Sequence, residues 1–322
     1  MRAIVVTRNG GPEVLELQDV PEPEPGPGQL LVDVEAAGVN FRDVYERQGG
    51  YPGVPPPPHV AGVEGAGAVA ALGPEVEGVS VGDRVAWTAA QGSYAERAVV
   101  DAAVAVPVPD GTSSELAAAV LLQGMTAHYL STSTYPVEEG DTVIVHAGAG
   151  GVGLLLTQMA KMRGGRVLAT TSSEEKAQLA RAAGADEVLE YEGFGERARA
   201  LTGGEGVAAV YDAVGKTTFD ESLGSLRPRG TMVVYGAASG PPPPVEIQRL
   251  NSGGSLYLTR PSLPHHTRTR EELLERAGAV LGWIAEGRLD VRIGGRYPLE
   301  DGRRAQEDLA GRATTGKLLL IP

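Results

Sequence analysis

The stretch Asp141-Thr-Val-Ile-Val-His-Ala-Gly-Ala-Gly-Gly-Val-Gly153 decides the fold of this chain. It predicts a buried strand, a glycine turn and the start of a helix that continues through residues 154–161. Gly148, Gly150 and Gly153 have the G-x-G-x-x-G spacing, in which the glycines permit a tight turn, the approach of backbone to a pyrophosphate, and close packing of the helix on its strand. The free N–H groups of the helix N-terminus would bind the phosphates, because the helix dipole favours anions there. The stretch therefore predicts a dinucleotide site.

Strands and helices alternate from this turn onward. Six strands are expected at 142–147, 166–171, 187–190, 207–212, 229–235 and 254–259, with helices at 151–163, 174–183, 194–201 and 217–226. This alternation predicts an α/β domain with a doubly wound parallel sheet.

The residues before the turn have a different pattern. Short strands are expected at 2–6, 13–19, 30–37, 60–72, 84–87 and 94–100, separated by many Gly and Pro turns, and two helical pieces follow at 116–122 and 126–132. The irregular spacing predicts a small, partly open β-rich domain. After an amphipathic helix at 271–286, the segments 292–297, 301–310 and 317–321 predict strand, helix and strand. This tail does not continue the alternation, so we expect it to return to the first domain.

Bulk composition excludes several classes of protein. A length of 322 residues suits two domains. The net charge of −13 argues against a nucleic-acid or anionic-membrane partner, and no run approaches the ~18 apolar residues of a membrane span. Without cysteine, the chain has no disulfide framework and no thiolate nucleophile or metal ligand. We expect a cytoplasmic protein.

The end of the second strand indicates which dinucleotide binds. NAD sites carry an acid there for the ribose 2′-OH, whereas this chain has Thr-Thr-Ser-Ser at 170–173. Ser172 and Lys176 could bind a 2′-phosphate, and Tyr191 could add a hydroxyl, which favours NADPH. Alternatively, Lys176 lies on a solvated helix face beside two glutamates that could serve NADH, and a serine is only the N-cap.

Seven motifs spread over nearly the whole chain resemble those of one family. They are residues 10–15, 38–43, 123–127, 146–153, 211–215, 254–263 and 312–316. The chain resembles the zinc-independent medium-chain dehydrogenase/reductases, and within them the NADPH:quinone oxidoreductases of the zeta-crystallin type. The resemblance implies a GroES-like catalytic domain from residues 1–123 and 260–322, a Rossmann domain from 124–259, and a cofactor in the cleft between them. It also implies a homodimer in which the strand 254–259 pairs with its copy.

The same resemblance bears on metal binding. Zinc-dependent relatives place a Cys and a His where this chain has Asn40 and Val63. Neither residue replaces a thiolate or imidazole ligand, so we expect no metal. His59 lies on a proline-rich loop and is expected to be a surface histidine.

The residues available for catalysis limit the substrate. The chain has no Tyr-x-x-x-Lys dyad and no cysteine, and hydride chemistry belongs to the nicotinamide. An activated acceptor therefore fits best, and we expect NADPH-dependent reduction of a quinone. The alternatives are an alkenal or enone double-bond reductase, or a mainly non-catalytic NADPH-binding protein of the crystallin or RNA-binding kind.

Site residues follow partly from the resemblance. The expected catalytic residues are Asn40, Tyr45 and Tyr51, with helix capping (Asn40) or loop packing (the tyrosines) as alternatives. The expected cofactor-binding residues are Asn40, Thr126, Gly150, Gly151, Val152, Gly153, Ser172, Lys176, Tyr191, Ser239 and Arg260.

Four of the polar residues have alternatives of their own. Thr126 could be an internal helix hydroxyl, and Arg260 could form a buried ion pair instead of binding an anion. His146 is expected to pack or to bond backbone. Glu64 is expected to fix an arginine or the turn.

Overall fold

The computed structural model describes residues 1–322, which form two compact units. The β unit comprises Met1–Leu122 and Thr267–Pro322, and the α/β unit comprises Gln123–His266. The second boundary therefore lies after residue 266 rather than at the expected 259/260 junction. Residues 260–266 stay in the α/β unit, where the His266 ring stacks on Tyr129 with their centroids 4.2 Å apart.

The β unit begins with eight strands and a short helix, α1 (Phe41–Arg47). The strands are β1 (Arg2–Val6), β2 (Leu15–Asp19), β3 (Gln29–Val39), β4 (His59–Val60), β5 (Glu64–Leu72), β6 (Arg84–Trp87), β7 (Arg97–Asp101) and β8 (Val106–Pro107). The run expected as one strand over 60–72 is interrupted at Gly62, whose φ is +88°. A Cβ at Gly62 would lie 2.2 Å from the ring of Tyr94, so the tyrosine packs against bare backbone at this break.

One continuous helix, α2 (Ser114–Tyr129), replaces the two helical pieces expected from the sequence. Ser113 is its N-cap, since its hydroxyl accepts the Leu116 N–H at 3.2 Å. The helix passes through Gly124 and ends in a π-helical turn at Leu130–Thr134. The expected break was wrong because the residues around the glycine are buried, and packing outweighs the roughly 1 kcal/mol helix penalty of glycine.

The α/β unit has the architecture expected from its alternating pattern. Its strands are β9 (Thr142–Val145), β10 (Arg166–Thr170), β11 (Glu187–Leu189), β12 (Val207–Asp212), β13 (Leu226–Val234) and β14 (Tyr257–Thr259). Its helices are α3 (Gly151–Met162), α4 (Glu174–Ala182), α5 (Phe194–Leu201), α6 (Phe219–Ser225) and the unpredicted α7 (Ile247–Ser252).

All neighbouring strands of this sheet are parallel, in the order β11-β10-β9-β12-β13-β14. The strand order reverses between β9 and β12, and in such sheets ligands bind beyond the carboxyl ends of the strands at this switch point. The glycine turn follows β9 and therefore lies at that position.

The end of the chain returns to the β unit, as expected. It forms α8 (Arg270–Ala285), β15 (Ile293–Pro298), α9 (Gly302–Ala310) and β16 (Lys317–Ile321). Strand β16 pairs antiparallel with β3, so the last two strands join a sheet in the order β15-β16-β3-β5-β6-β8. Strand β7 also pairs with β3 in this sheet. In the other sheet of this unit, β2-β1-β4, the strands expected at 2–6 and 13–19 pair antiparallel as β1 and β2. No helix of the chain combines the length and the apolar character that crossing a bilayer requires.

Candidate active site

The glycine turn leaves three backbone donors without a partner. Gly150 is the N-cap of α3, with φ −76° and ψ 168°, and no side chain caps the helix. The first intrahelical bond runs from the Leu154 N–H to the Gly150 carbonyl at 2.9 Å. The N–H groups of residues 151–153, namely Gly151, Val152 and Gly153, therefore point out of the helix start with no acceptor in the chain. These unpaired donors, at the positive end of the helix dipole, can bind a pyrophosphate.

Close contacts fix the shape of this turn. A Cβ at Gly153 would lie 2.2 Å from the Ala147 carbonyl oxygen, so the helix start lies directly against the turn. A Cβ at Gly148 would lie 2.8 Å from the Ala169 Cβ, which is a packing contact with β10. Ala147 itself has a left-handed φ of +52°.

A cationic and a hydroxyl group meet at the start of α4. The Lys176 Nζ lies 3.4 Å from the Ser172 hydroxyl, and Ser172 is exposed. Ser173, not Ser172, is the N-cap, since its hydroxyl accepts the Lys176 N–H at 3.3 Å. Glu174 pairs with Arg181 at 2.7 Å. The Ser172 hydroxyl and the Lys176 ammonium can therefore both reach one phosphate.

Tyr191 lies beside the same turn. Its hydroxyl accepts the Ala147 N–H at 3.1 Å, and its ring stacks on His146 with the centroids 6.1 Å apart. The hydroxyl proton remains available to donate to a phosphate oxygen. Tyr191 thus holds the strained Ala147 and also presents a donor.

His146 is buried and packs against aromatic rings, as the first of its two expected alternatives had it. Its ring nitrogens bond hydroxyl groups, so the second alternative, a bond to backbone, is not formed. Its Nδ1 lies 2.8 Å from Thr170 Oγ1, and its Nε2 lies 2.8 Å from Ser222 Oγ. The edge of the Phe194 ring contacts it as well. Burial lowers the pKa of His146 to about 4, so the ring is neutral at pH 7 and links β9, β10 and α6.

The remaining expected cofactor residues of the α/β unit differ in how their polar groups are used. The Thr126 hydroxyl makes no hydrogen bond within the chain, whereas Ser131 one turn later donates to the Ala127 carbonyl at 2.8 Å. Ser239 donates to the Val214 carbonyl at 2.8 Å and accepts the Thr217 N–H at 3.1 Å, so its hydroxyl already holds two loops together. Of the two hydroxyls, that of Thr126 is the better placed to bind a ligand.

Arg260 follows β14 and is exposed. Its Nη1 lies 3.4 Å from the Gly236 carbonyl oxygen, and no carboxylate lies within 4.0 Å. The buried ion pair considered as an alternative is therefore not formed. The guanidinium is available to bind an anion.

Asn40 lies at the centre of a buried polar cluster in the β unit. Its Nδ2 donates to Glu64 Oε2 at 2.9 Å and to the Gly38 carbonyl at 3.2 Å, and its Oδ1 accepts from Lys317 Nζ at 2.7 Å. Lys317 also forms an ion pair with Glu64 at 2.5 Å. The arginine expected as a partner of Glu64 was wrong, because its charged partner is a lysine 253 positions away.

Asp43 holds Asn40 from the other side. Its Oδ2 accepts the Asn40 N–H at 2.8 Å and the Tyr94 hydroxyl at 2.7 Å. Burial and, second to it, the nearby Glu46 carboxylate raise the pKa of Asp43, the bonds from Tyr94 and from the Asn40 N–H lower it, and the net pKa is about 7. Asn40 is therefore the N-cap of α1, in a capping box with Asp43, so the capping alternative is confirmed. The amide of Asn40 bonds Glu64 and Lys317 as well.

The two expected tyrosines lie in and after α1. The Tyr45 ring is partly buried, with its centroid 6.3 Å from that of Phe41. The Arg42 guanidinium lies 4.9 Å over the Tyr51 ring and donates to Glu46 at 2.7 Å. Arg42 was not expected from the sequence, and it brings a cation to the face of Tyr51.

The two positions at which zinc-dependent relatives have metal ligands are Asn40 and Val63 in this chain. No group of three or more His, Cys, Asp or Glu side chains is arranged to hold a metal ion. Asn40 uses its amide as described above, and Val63 is buried and apolar. His59 lies in β4 and is half-buried, and burial lowers its pKa, so the expected surface histidine was wrong.

Comparisons with known proteins agree with this architecture. Residues 26–110 match the alcohol dehydrogenase GroES-like domain family, and residues 151–276 match the zinc-binding dehydrogenase family. The quinone oxidoreductase of Pseudomonas aeruginosa is 45% identical over 316 residues, which cover 97% of each chain.

Two solved structures align over the full length of both chains, each with a TM-score of 0.97. One is a mycobacterial protein complexed with NADPH, at 54% identity, and the other is the quinone oxidoreductase of Escherichia coli complexed with NADPH, at 40% identity.

Proposed function

This chain belongs to the quinone oxidoreductases of the medium-chain dehydrogenase/reductase family, and we propose that it reduces quinones with NADPH and without zinc. The observation that carries the cofactor assignment is the combination of three unpaired N–H groups at the start of α3 with the adjacent Lys176 and Ser172. The relatives named as quinone oxidoreductases, and the two NADPH complexes among similar structures, support the same assignment.

The residues of the α/β unit fit NADPH. The N–H groups of residues 151–153 bind the pyrophosphate, and Lys176, Ser172 and the Tyr191 hydroxyl bind the 2′-phosphate. Thr126 and Arg260 offer a hydroxyl and a cation for further contacts, and Ser239 contributes by holding its loop. When bound, NADPH supplies a hydride from its nicotinamide ring.

Zinc independence follows from the residue types at the ligand positions. Asn40 Nδ2 donates to two acceptors, and Val63 offers no lone pair, so neither binds zinc. Without a zinc ion or a Tyr-x-x-x-Lys dyad to polarise a carbonyl, the enzyme acts best on an acceptor that is already electron-poor. A quinone meets this requirement, and its reduced product takes its protons from water.

The proposed residues nearest the chemistry are Asn40, Tyr45 and Tyr51. Asn40 orients the nicotinamide end of the cofactor, and the tyrosines contact the substrate or the cofactor. Arg42 lies over Tyr51 and restricts the position of that ring.

A panel of initial rates tests the proposal. We expect rapid oxidation of NADPH with 1,4-benzoquinone and naphthoquinone, much slower oxidation of NADH, and weak turnover of 2-alkenals. Turnover of alkenals without turnover of either quinone would favour the double-bond reductase instead. Tight NADPH binding without turnover of any acceptor would favour the non-catalytic alternative.

We also propose that the chain forms a homodimer through β14. Strand β14 is the edge of its sheet, and Tyr257 and Leu258 on it are 62% and 36% exposed. Pairing of β14 with its copy would cover this edge. Light scattering should give twice the chain mass, and Leu258→Lys should shift the mass towards that of the monomer; a monomeric wild-type chain would contradict the proposal.

A further inference from the structure

The polar cluster around Asn40 is almost closed to solvent. The side chains of Lys317 and Glu64 are 1% and 0% exposed, and Asn40 is 4% exposed. Glu64 uses both of its oxygens, since Oε1 accepts the Leu122 N–H at 2.7 Å and Oε2 accepts from Asn40 and Lys317. A buried ion pair of this kind does little for stability compared with apolar residues of the same volume, so its role needs another explanation.

The chemistry of the two charged partners fixes the orientation of the Asn40 amide. A carboxylate only accepts hydrogen bonds and an ammonium only donates them, so the amide nitrogen must face Glu64 and the amide oxygen must face Lys317. Both protons of the Asn40 amide are then bonded, one to Glu64 and one to the Gly38 carbonyl. The Asn40 atom left for a ligand is Oδ1, which keeps one lone pair.

The backbone beside the cluster leaves room for this arrangement. A Cβ at Gly38 would lie 2.3 Å from Glu64 Oε2 and 2.8 Å from Lys317 Cε. Gly38 pairs with Glu64 of β5 and with Leu319 of β16, so the sheet itself sets the spacing of the two charges.

We propose that Lys317 is a positioning residue which, with Glu64, holds Asn40 as a hydrogen-bond acceptor for a hydroxyl of the nicotinamide ribose and not as a donor to a carbonyl oxygen. This inference rests on the proposed function, because it takes NADPH as the ligand. A carbonyl oxygen of the substrate or of the carboxamide needs a donor, and both donors of the amide are already bonded.

Comparing the binding of two ligands distinguishes positioning of Asn40 by Lys317 from a general loss of structure. NADPH carries the nicotinamide ribose, whereas 2′,5′-ADP carries only the half of the cofactor that the glycine turn and Lys176 bind. The dissociation constants of both ligands are measured by calorimetry for the wild-type chain, for Glu64→Gln/Lys317→Met and for Gly38→Ala. The double variant removes both charges and therefore leaves no unpaired buried ion. It can be measured even if Lys317→Met alone fails to fold.

We expect the double variant to bind NADPH about tenfold more weakly and 2′,5′-ADP as the wild-type chain does, which is the loss of roughly one hydrogen bond. Gly38→Ala should act in the same direction, because it displaces the ion pair. Lys161→Met is the matched control, since Lys161 forms a partly exposed pair with Asp186 at 2.8 Å, and it should change neither constant.

Wild-type NADPH affinity in the double variant would overturn the inference and leave the proposed function intact. Equal weakening of both ligands would also overturn it, since that result indicates a structural role. Failure of the wild-type chain to bind NADPH would overturn both proposals.

Discussion

The two polar regions of this chain use their hydrogen-bonding groups in opposite ways. At the start of α3, the N–H groups of residues 151–153 have no acceptor, and Lys176 and Ser172 lie together near the surface. Around Asn40, the side-chain amide, the Glu64 carboxylate and the Lys317 ammonium bond one another in a cluster that is almost closed to solvent. Unpaired donors at a surface are available to a ligand, whereas paired groups in the interior fix the position of their neighbours. In our proposal, the first region therefore binds the phosphates of the cofactor, and in the second region Glu64 and Lys317 position Asn40.

The largest expected difference concerns stability. Lys317→Met leaves a buried carboxylate without its counter-ion and should lower the free energy of unfolding of the β unit by about 3–5 kcal/mol. Lys176→Met should change stability by less than about 0.5 kcal/mol, because its ammonium is near the surface. Both tryptophans, Trp87 and Trp283, belong to the β unit, so tryptophan fluorescence during urea denaturation reports this unit. Equal effects of the two substitutions would remove the distinction between the regions.

The second largest effect is expected for NADPH binding when a glycine of the turn is replaced. Gly153→Val places a Cβ against the Ala147 carbonyl, which is rigid backbone, and should weaken NADPH binding about 100-fold. Gly151→Ala is the matched control, because its new Cβ meets only the flexible end of the Gln123 side chain. We expect a much smaller effect there. Titration of NADPH fluorescence measures both, and a stronger effect of Gly151→Ala would contradict this account of the turn.

The preference for the phosphate should depend on Lys176. Lys176→Ala removes a charged donor from the 2′-phosphate, so we expect the KM for NADPH to rise about tenfold and that for NADH to change less than about twofold. Added salt should weaken NADPH binding to the wild-type chain more than to the variant. Equal effects on the two cofactors would exclude Lys176 from the phosphate site.

The two units should respond to pH with opposite signs. Because burial raises the pKa of Asp43 to about 7, the folded β unit binds a proton that the unfolded chain releases, and its stability falls as the pH rises from about 4 to about 7. Because burial lowers the pKa of His146 to about 4, the unfolded α/β unit binds the extra proton, and its stability rises from about pH 4 to about pH 6.5.

Single substitutions should flatten each profile separately. Asp43→Asn removes the fall in the β unit, measured by tryptophan fluorescence. His146→Gln removes the rise in the α/β unit, measured by hydrogen exchange of the backbone amides in β9 and β10. Unchanged slopes in either variant would mean that other groups control the titration of that unit.

The α/β unit was largely predictable from sequence, whereas the cluster around Asn40 was not. A strand, a glycine turn and a helix are encoded within a few neighbouring residues, so β9, the turn and α3 follow from local pattern. The bond between Asn40 and Lys317 joins residues 277 positions apart, and no local pattern encodes such a contact. The one available signal was a lysine at the start of the apolar run 317–321. The uses of individual hydroxyls, such as the two bonds of Ser239, likewise depend on loop geometry.

Hydrogen exchange with and without NADPH tests the central distinction most directly. The account predicts that backbone amides at residues 151–153 exchange rapidly in the free chain and are strongly protected when NADPH binds. The backbone N–H of Asn40, which already donates to Asp43, should be protected in both states. Saturation with NADPH without protection at residues 151–153 would contradict the claim that these unpaired donors bind the cofactor.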